Sequence, residues 1–437
     1  MLILFSITAF LKAEANKIFI FCCHGMFSII TLGIVFVLIA VRQVGSIKLQ
    51  IWQIMLVGAG AVLIFRQISI VEAFHSINFD VILFLFGMFI VGEALDKSGY
   101  LSYMAYNFFK NAKTADALFL FIIFGMGILS VFLMNDTVAI IGTPLVLLLA
   151  RNNNLPVKLM LLALAFSITT GSVMSPIGNP QNLLIAVNGN LNNSFITFSK
   201  YLFIPTCINL FVVFYILKIF YKKNFNIQFL NHVPSQIADK KLAVLSKISL
   251  SIIFSLVFVK ILLLFFDPGI NFRLTYIALA AALPVLLFSS SREKIIKKID
   301  WHTLIFFAAM FILMQSVWNS GFFQNIIKDS HLKLTSVFMI LTAGVFLSQL
   351  ISNVPLVALY LPLLMHSGIS NQGLMALAAG STIAGNMFIL GAASNIIIIQ
   401  NAEKKTGATI SFLEFAKVGI PLTVINILVY YLYLSIF

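Results

Sequence analysis

Long apolar runs with almost no charge recur along this chain of 437 residues. Residues 248–266 and 274–288 are two examples, and each approaches the roughly 20 residues that a helix needs to cross a bilayer. Inside lipid every backbone polar group must be paired within the protein, so spanning runs of this kind form helices. Only 10% of the residues are charged, against about 25% in a soluble domain. The sequence therefore predicts an all-α polytopic membrane protein.

The formal net charge of +14 would suggest a nucleic-acid partner in a soluble protein. Here most lysines lie in short segments between apolar runs, which is the positive-inside pattern of a membrane protein. We therefore expect the lipid bilayer as a partner and no nucleic acid. The lysine-rich segments 221–247 and 291–300 are predicted to be cytoplasmic, and the two predicted spans between them make that assignment self-consistent.

Three stretches occur twice, in the same order. "GMFIVGEALDKSGY" resembles the later "AAMFILMQSVWNSGF", and "SVFLMNDTVAIIGTPL" from Ser130 resembles "SQLISNVPLVALYLPL" from Ser348. "GNPQN" at Gly178 resembles "GAASN" at Gly391. Each match alone is weak, but their shared order indicates an internal duplication.

The lysines also indicate how the two copies are oriented. In the first copy Lys97, Lys110 and Lys113 follow the matching helix, whereas in the second copy the basic segment precedes it. The copies therefore have opposite topology, as in the inverted repeats of secondary transporters. We predict about five spans in each repeat, including one re-entrant hairpin and one broken helix. The predicted divisions are an N-terminal segment 1–17, a first repeat 18–220, a cytoplasmic linker 221–247 and a second repeat 248–437.

Four polar interruptions fall at matching places in the two copies: at Asn135-Asp136, at 178–182 within "SPIGNPQN", at Ser352-Asn353 and at 391–395. The inverted repeat predicts that they meet near the middle of the membrane. Half-helix N-termini attract anions, and amide and carbonyl oxygens can hold a cation. Asn, Ser and Gly also mediate plain helix–helix contacts in membranes, and this remains the alternative interpretation.

Within the first broken helix, Asn179 followed by Pro180 is a good N-cap and first helical residue. The candidate substrate- and ion-binding residues share these interruptions. They are Asn135, Asp136, Thr137, Ser175, Gly178, Asn179, Asn182, Ser352, Asn353, Gly391, Ser394 and Asn395. For sodium the candidates are Asn135, Asp136, Gly178 and Asn182.

Asp136 is the sharpest candidate, because it is the one acid predicted to lie at a hairpin tip deep in the fold. A carboxylate inside the membrane is by default a functional candidate, here for coupling to a proton or an ion. The alternative is that Asp136 caps a helix starting at Val138. The second copy has Val354 at the matching place, so coupling would be asymmetric between the copies.

Several other classes of protein lack their signatures here. Cys22, Cys23 and Cys207 form no CxxC pair and no metal-binding spacing, so we expect no disulfide framework and no metal centre. Neither a His-Glu-x-x-His nor a Gly-x-Gly-Asp stretch occurs, and no Walker-type loop is present. We therefore expect no enzyme, no cofactor and no ATP-driven pump.

At the residues "MNDTVAIIGTPLVLLLA" and "SPIGNPQNLLIA" the chain resembles the ion transporter superfamily. That group includes the arsenite permeases, the D-type sodium/proton antiporters and the divalent-anion/sodium symporters with a citrate-transporter-like domain. The two stretches are especially similar to a bacterial inner-membrane branch of anion transporters. The resemblance implies a homodimer working by an elevator motion, and a Ser-Asn-Thr triplet at each hairpin tip that binds sodium and a substrate carboxylate.

Two positions depart from those triplets: Asp136 stands in place of the first Thr, and Val354 in place of the second. An acid beside Asn at this tip resembles the arsenite-permease and antiporter branches. We therefore expect a secondary active transporter that moves a small anion, an inorganic oxyanion, an arsenite-like species or a carboxylate, across the bacterial inner membrane. Transport would be coupled to protons or sodium by alternating access. The alternative is a sodium/proton antiporter on the same fold.

Overall fold

The computed structural model describes residues 26–39, 41, 43–44, 47–191, 193–225, 237–266, 273–321 and 336–437. The predicted segment 1–17, Cys22 and Cys23, and residues 226–236 of the predicted linker lie outside the described residues. The described chain is almost entirely helical, and its one pair of strands has two residues each.

In chain order the elements are α1 (Met26–Ile39), β1 (Gln43–Val44), β2 (Ile47–Lys48), α2 (Ile51–Ile64), α3 (Ile70–Ser76), α4 (Phe79–Lys97), α5 (Tyr100–Phe109), α6 (Ala115–Leu133), α7 (Asn135–Asn152), α8 (Val157–Ser172), α9 (Pro180–Asn188), α10 (Ser194–Phe220), α11 (Lys222–Phe225), α12 (Lys240–Phe266), α13 (Leu274–Phe288), α14 (Arg292–Lys298), α15 (Trp301–Asn319), α16 (Val337–Ile351), α17 (Asn353–His366), α18 (Asn371–Met387), a 3-10 turn at Ile389–Gly391, α19 (Ala393–Thr406) and α20 (Phe412–Leu434). β1 and β2 pair antiparallel.

Within the described residues five helices are long and apolar enough to cross a membrane, namely α6, α10, α12, α15 and α20. A sixth span results if α3 and α4, bent by 52° at their junction, are counted together. Large apolar side chains such as Phe211 and Leu432 are exposed on these helices, as expected for surfaces that face lipid. The predicted class, an all-α polytopic membrane protein, is confirmed.

Contacts divide the chain into two units, and the smaller comprises Met1–Ile82 and Trp301–Leu332. In it α2 packs against α15. The hydroxyls of Ser28 and Ser316 lie 2.7 Å apart, and the rings of Trp52 and His302 stack with their centroids 4.7 Å apart. These contacts join the beginning of the chain to a helix nearly 300 residues later.

The larger unit, Leu83–Asp300 and Lys333–Phe437, contains two helical hairpins of the same design. α6 and α7 meet at Met134, and α16 and α17 meet at Ser352. Both of these residues have a positive φ, 63° and 70°, with nearly extended ψ. Pro144 and Pro362 each lie ten residues beyond their tip. The predicted hairpins 115–151 and 335–366 are therefore present, although residue 335 is outside the described chain.

Each hairpin is followed by a broken helix, as predicted. The first consists of α8 and α9, and the second of α18, the 3-10 turn and α19. The first break occupies residues 173–179, so the expectation of a break at 178–182 is displaced. Asn179 and Pro180 cap and begin α9, and Asn182 consequently lies in its first turn. In the same way Asn395 lies in the first turn of α19.

The two copies pack in the same way and exchange partners. Within each copy the first hairpin arm lies against the first half of the broken helix, α6 on α8 and α16 on α18. Across the copies α7 packs on α19 and α17 packs on α9. Each half-helix after a break therefore lies beside the hairpin of the other copy. The opposite orientation of the copies relative to the membrane, and the repeat boundaries, stay predictions.

Candidate ion-binding site

The tip of the first hairpin contacts both broken helices. The backbone N–H of Asn135 donates to the carbonyl oxygen of Gly178 at 2.9 Å. Its side-chain amide nitrogen donates to the Ser394 hydroxyl at 3.4 Å. All three residues are buried. One residue of the first copy is thus joined to the break of its own copy and to the break of the other.

The hairpin turns sharply into α7 at this point. Met134 takes φ 63° and ψ 146°, a conformation that strongly favours glycine, and α7 begins at the next residue. The Asn135 side-chain oxygen accepts from the backbone N–H of Asp136 at 2.9 Å. The prediction that Asp136 caps a helix starting at Val138 is wrong, because Met134 occupies the N-cap position. Asp136 and Thr137 are buried in the first turn of α7.

Asn182 braces the first break. Its amide nitrogen donates to the carbonyl oxygens of Ser172 (3.2 Å), Val173 (3.2 Å) and Ser175 (3.0 Å). The hydroxyl of Ser175 accepts from a backbone N–H two residues later. A Cβ on Gly178 would lie 2.3 Å from the Ser172 carbonyl oxygen, so the chain can approach this closely only with glycine there. These bonds satisfy carbonyl groups that the end of α8 leaves unpaired.

A threonine from the second copy joins the same break. The Thr382 hydroxyl on α18 accepts from the amide nitrogens of Asn179 (3.1 Å) and Gln181 (3.4 Å) and donates to the Asn182 amide oxygen at 3.2 Å. The side-chain oxygen of Asn179 accepts from the backbone N–H of Asn182 at 2.8 Å, as an N-cap does. Both ends of the Asn182 side chain are therefore engaged within the protein.

The second break is held by the corresponding residue. The Asn395 amide nitrogen donates to the carbonyl oxygens of Gly385 at 2.6 Å and Phe388 at 3.4 Å. Gln349 of the second hairpin donates to the Ala384 carbonyl at 2.8 Å, close to Gly391. Asn386 donates to the Thr170 hydroxyl of the first copy at 3.0 Å. Each break is thus tied to a threonine of the other copy.

The tip of the second hairpin is less connected. Ser352 precedes α17 without a side-chain cap bond, and Asn353 is buried as the first residue of that helix. The helix packs against α9, which places it beside the first break. The Asn353 side-chain oxygen has no hydrogen-bond partner among the described residues. Of the four predicted asparagines, Asn135, Asn182 and Asn395 are linked through the two breaks, and Asn353 is not bonded into this network.

Several buried side-chain oxygen atoms at the tips and breaks have no hydrogen-bond partner in the described chain. They belong to Asp136, Asn353, Asn386, Asn395 and Gln349. Buried acceptors are normally paired, so oxygens of this kind suit a bound cation or proton. The N-termini of α7, α9, α17 and α19 begin at the tips and breaks, and helix N-termini favour anions. The described residues contain no group of three or more His, Cys, Asp and Glu that could hold a metal ion.

Sequence reasoning missed several residues that the structure brings into this network, among them Thr170, Gln349, Thr382 and Asn386. Three of these four lie in the last turns before a break, in "SITTGS" and "AGSTIAGN". Small polar residues clustered at the end of an otherwise apolar helix were the available signal. Gln349 gave none, because its partner carbonyl is 35 residues away.

The chain matches one known protein family over most of its length. Residues 34–373 match the family described as "Citrate transporter". The chain belongs to the citrate transporter family. The resemblance to the ion transporter superfamily is confirmed, and the chain is a multi-pass membrane protein.

Named proteins resemble this citrate-transporter-family chain over most of its length. The P protein of Mus musculus is 24% identical over 84% of this chain and 55% of that protein, so the chain spans about half the length of the mammalian P proteins it matches. The uncharacterized transporter Rv2684 of Mycobacterium tuberculosis is 26% identical over 90% of this chain and 94% of that protein. The silicon efflux transporter LSI3 of Oryza sativa is 25% identical over 85% and 89%. The crystal structure of the YdaH transporter of Alcanivorax borkumensis aligns with 15% identity, a TM-score of 0.47 and coverage of 95% and 97%.

Proposed function

We propose that this protein is a secondary active transporter that moves a small anion across the bacterial inner membrane by alternating access, driven by protons or sodium. One observation carries the proposal. Asn135 joins the hairpin tip to both broken helices, at Gly178 and Ser394, and the next residue is a buried carboxylate. A ligand that binds where separate elements meet can favour one arrangement of those elements over another.

The four helix N-termini at the site favour an anion as the substrate. α7, α9, α17 and α19 all begin at the tips and breaks, and the backbone N–H groups in the first turn of a helix carry positive partial charge. A small oxyanion or carboxylate can bind to such groups without a basic side chain. Citrate and silicon are the compounds named among the family and the relatives. Citrate, silicate, arsenite and phosphate are therefore the first substrates to assay.

Asp136 is the residue that favours a coupling ion at this site. Its buried oxygen without a hydrogen-bond partner lies one residue after the Asn135 contacts. A sodium ion would find carboxylate and amide oxygens there, and a proton would neutralise the carboxylate. Asn182 is less suited to be a direct ligand, because both ends of its side chain are engaged, and we assign it to holding the break in shape.

A sodium/proton antiporter on the same fold is the second candidate. The side chains that form the hydrogen-bond network of the site are neutral amides and hydroxyls, and the buried Asp136 carboxylate beside them has an oxygen without a hydrogen-bond partner. These oxygen ligands favour a cation. If a sodium gradient drives proton movement in vesicles that contain no transportable anion, the antiporter is the correct proposal and the anion transporter is not.

The test uses the purified protein in proteoliposomes under an imposed proton or sodium gradient. Asp136→Asn preserves size but neither titrates nor carries a negative charge, so gradient-driven accumulation of the anion should be lost while the protein remains folded. Asp116→Asn is the matched control, because Asp116 lies in the same hairpin but forms a partly exposed ion pair with Lys218. If the Asp136→Asn variant accumulates substrate with unchanged ion dependence, Asp136 is structural and the coupling site lies elsewhere.

The homodimer expected from the resemblance to the superfamily is also part of the proposal. Exposed apolar side chains such as Phe203 and Tyr215 on α10 are available either to lipid or to a second copy. Native mass spectrometry of the detergent-purified protein decides between them, since a dimer gives twice the 48.5 kDa of the chain and a monomer does not.

A further inference from the structure

The larger unit contains a charged cavity of about 400 Å³, separate from the hairpin tip. Its walls come from α4, α7, α19 and residues 298–300. Glu93 and Asp96 contribute from α4, and Lys404 and Lys405 contribute from α19. Lys298 and Asp300 add one further charge of each sign. A cavity of this size within an apolar helical protein has room for a small hydrated ion or a small carboxylate.

Two helices connect this cavity to the candidate ion-binding site. On α7, Ile140 and Pro144 line the cavity and follow Asp136 by about one and two turns. On α19, Asn401 and Lys405 line it and follow Ser394 by about two and three turns. α7 and α19 pack directly against each other. The cavity therefore lies along the same pair of helices whose N-termini form the site.

The lysines of the cavity are held in different ways. The Lys405 ammonium lies 2.5 Å from an Asp96 carboxylate oxygen and 3.5 Å from a Glu93 carboxylate oxygen. The Lys404 ammonium donates to the backbone carbonyl oxygens of Lys298 and Ile299. Carboxylates near a partly exposed ammonium exchange readily with other anions, because such pairs are weak. An incoming anion would compete with Glu93 and Asp96 for Lys405.

We propose that this cavity is a vestibule where Lys404 and Lys405 bind the transported anion before it reaches the hairpin tip. Glu93 and Asp96 form ion pairs with Lys405 when no anion is bound. This inference rests on the proposed function, and it names a second binding place for the same anion. The ligand class is a small oxyanion or carboxylate. By the predicted topology the vestibule opens to the cytoplasm.

The first test compares substitutions of opposite effect on the charge of the cavity. It measures the KM for citrate or phosphate in proteoliposomes, whichever is transported. Lys405→Gln removes the anion partner and should raise the KM several-fold, while Lys405→Arg should keep it near the wild-type value. Glu93→Gln and Asp96→Asn remove the competing carboxylates and should lower the KM. If the ion pair only holds the structure together, all three neutral variants should change the KM in the same direction. That result would overturn the proposal.

A second test needs no transport. Asn401→Cys is placed in a variant with Cys22, Cys23 and Cys207 replaced by Ser, and inside-out vesicles are treated with a sulfonate or an ammonium methanethiosulfonate. Relative to the rates of the two reagents with a free thiol, the cavity should favour the sulfonate. Lys405→Gln should reduce the sulfonate-to-ammonium rate ratio several-fold, and Glu93→Gln should raise it. Lys218→Gln, which breaks an ion pair of similar length outside the cavity, should leave the ratio unchanged.

The two tests separate the proposals. A rate ratio that responds to Lys405→Gln in a protein that transports no anion would show that anions enter the cavity, but it would contradict the proposed function and with it a vestibule for a transported anion. Anion transport with a rate ratio that ignores Lys405→Gln would support the function and overturn the vestibule. An Asn401→Cys variant that does not react from the cytoplasmic side, in a protein that transports anions, would also overturn it.

Discussion

Asn182 and Asn395, which are 213 positions apart in the sequence, form the same hydrogen bonds in the two copies. Each side-chain amide donates to the carbonyl oxygens of the residues ten and seven positions earlier. In both cases these carbonyls lie where a helix breaks off before the next half-helix begins. A shared brace explains how two breaks with unlike sequences, one rich in proline and one without it, reach similar shapes.

This relationship predicts that the two asparagines contribute similarly to stability. Replacing Asn182 or Asn395 with Leu keeps most of the volume but removes the donor, so buried carbonyl oxygens lose their partners. Each substitution should lower the free energy of unfolding by about 1–3 kcal/mol. Asn107→Leu is the control, because the Asn107 side chain bonds a carbonyl at an exposed position and should matter little. Thermal unfolding in detergent measures the stability of all three variants. Equal effects of Asn107→Leu and Asn182→Leu would show that the hydrogen bonds of Asn182 do not stabilise the break.

A second pair of positions holds the hairpins against the broken helices. A Cβ on Gly171 would lie 2.3 Å from the carbonyl oxygen of Gly127, and one on Gly380 would lie 2.6 Å from that of Leu341. Close backbone approach through small residues is a typical way for membrane helices to pack. Gly171→Ala and Gly380→Ala should each destabilise the protein by at least about 1–3 kcal/mol, because the helices must separate.

The controls for those glycines are in the smaller unit. A Cβ on Gly33 of α1 or Gly60 of α2 would meet no atom within 4 Å. Both lie in helix interiors, so Gly33→Ala and Gly60→Ala should be neutral or should stabilise by up to about 1 kcal/mol. Yield of folded protein by fluorescence-detected size-exclusion chromatography, followed by melting temperature, separates the two classes. If the control variants also lose folded protein, the effect comes from alanine in any helix and not from the close approach of the backbones.

The fold was largely predictable from the sequence, because its determinants are local. Apolar runs without charge define helices in a bilayer, and prolines with polar residues interrupt them at fixed places. The shared order of the matches around Asn135, Gly178, Asn353 and Gly391 was enough to predict two hairpins and two broken helices. The short helices α3, α5, α11 and α14 were not predicted, because they are too short to carry a periodic pattern.

The details of the site were less predictable, because they depend on contacts distant in sequence. The prediction that Asp136 caps a helix was wrong because the chain turns at Met134. That residue adopts a positive φ, which nothing in its residue type indicates. Thr382 joins Asn182 from 200 positions away, and a threonine in an apolar helix is common without such a role. Sequence could identify the interrupted segments, but not which of their side chains brace the breaks and which leave an oxygen unpaired.

The strained residue at the second hairpin tip gives a further prediction. Ser352 has φ 70° and ψ 157°, a conformation that costs a residue other than glycine about 1–3 kcal/mol. Ser352→Gly should therefore raise the melting temperature, since little side-chain packing is lost, whereas Ser352→Ala keeps the strain and should not. If both variants melt at the wild-type temperature, the tip relaxes away from this conformation. Met134 is unsuited to this comparison, because its buried side chain would be lost as well.

The orientation of the chain is the last prediction. The lysines of segment 221–247 place Lys240 in the cytoplasm, and the predicted inversion of the second repeat then places Phe437 on the opposite side of the membrane. Lys404 and Lys405, in the last turn of α19, would be cytoplasmic by the same argument, which agrees with a vestibule that opens inward. A fluorescent reporter that folds only in the cytoplasm should be dark when fused after Phe437, and alkaline phosphatase, which folds only outside, should be active there. A cysteine introduced at Lys240 should react with an impermeant maleimide in inside-out vesicles but not in intact cells. A bright reporter after Phe437 together with a cytoplasmic Lys240 would require an even number of crossings between them instead of the predicted odd number, and would remove the basis for the inverted repeat.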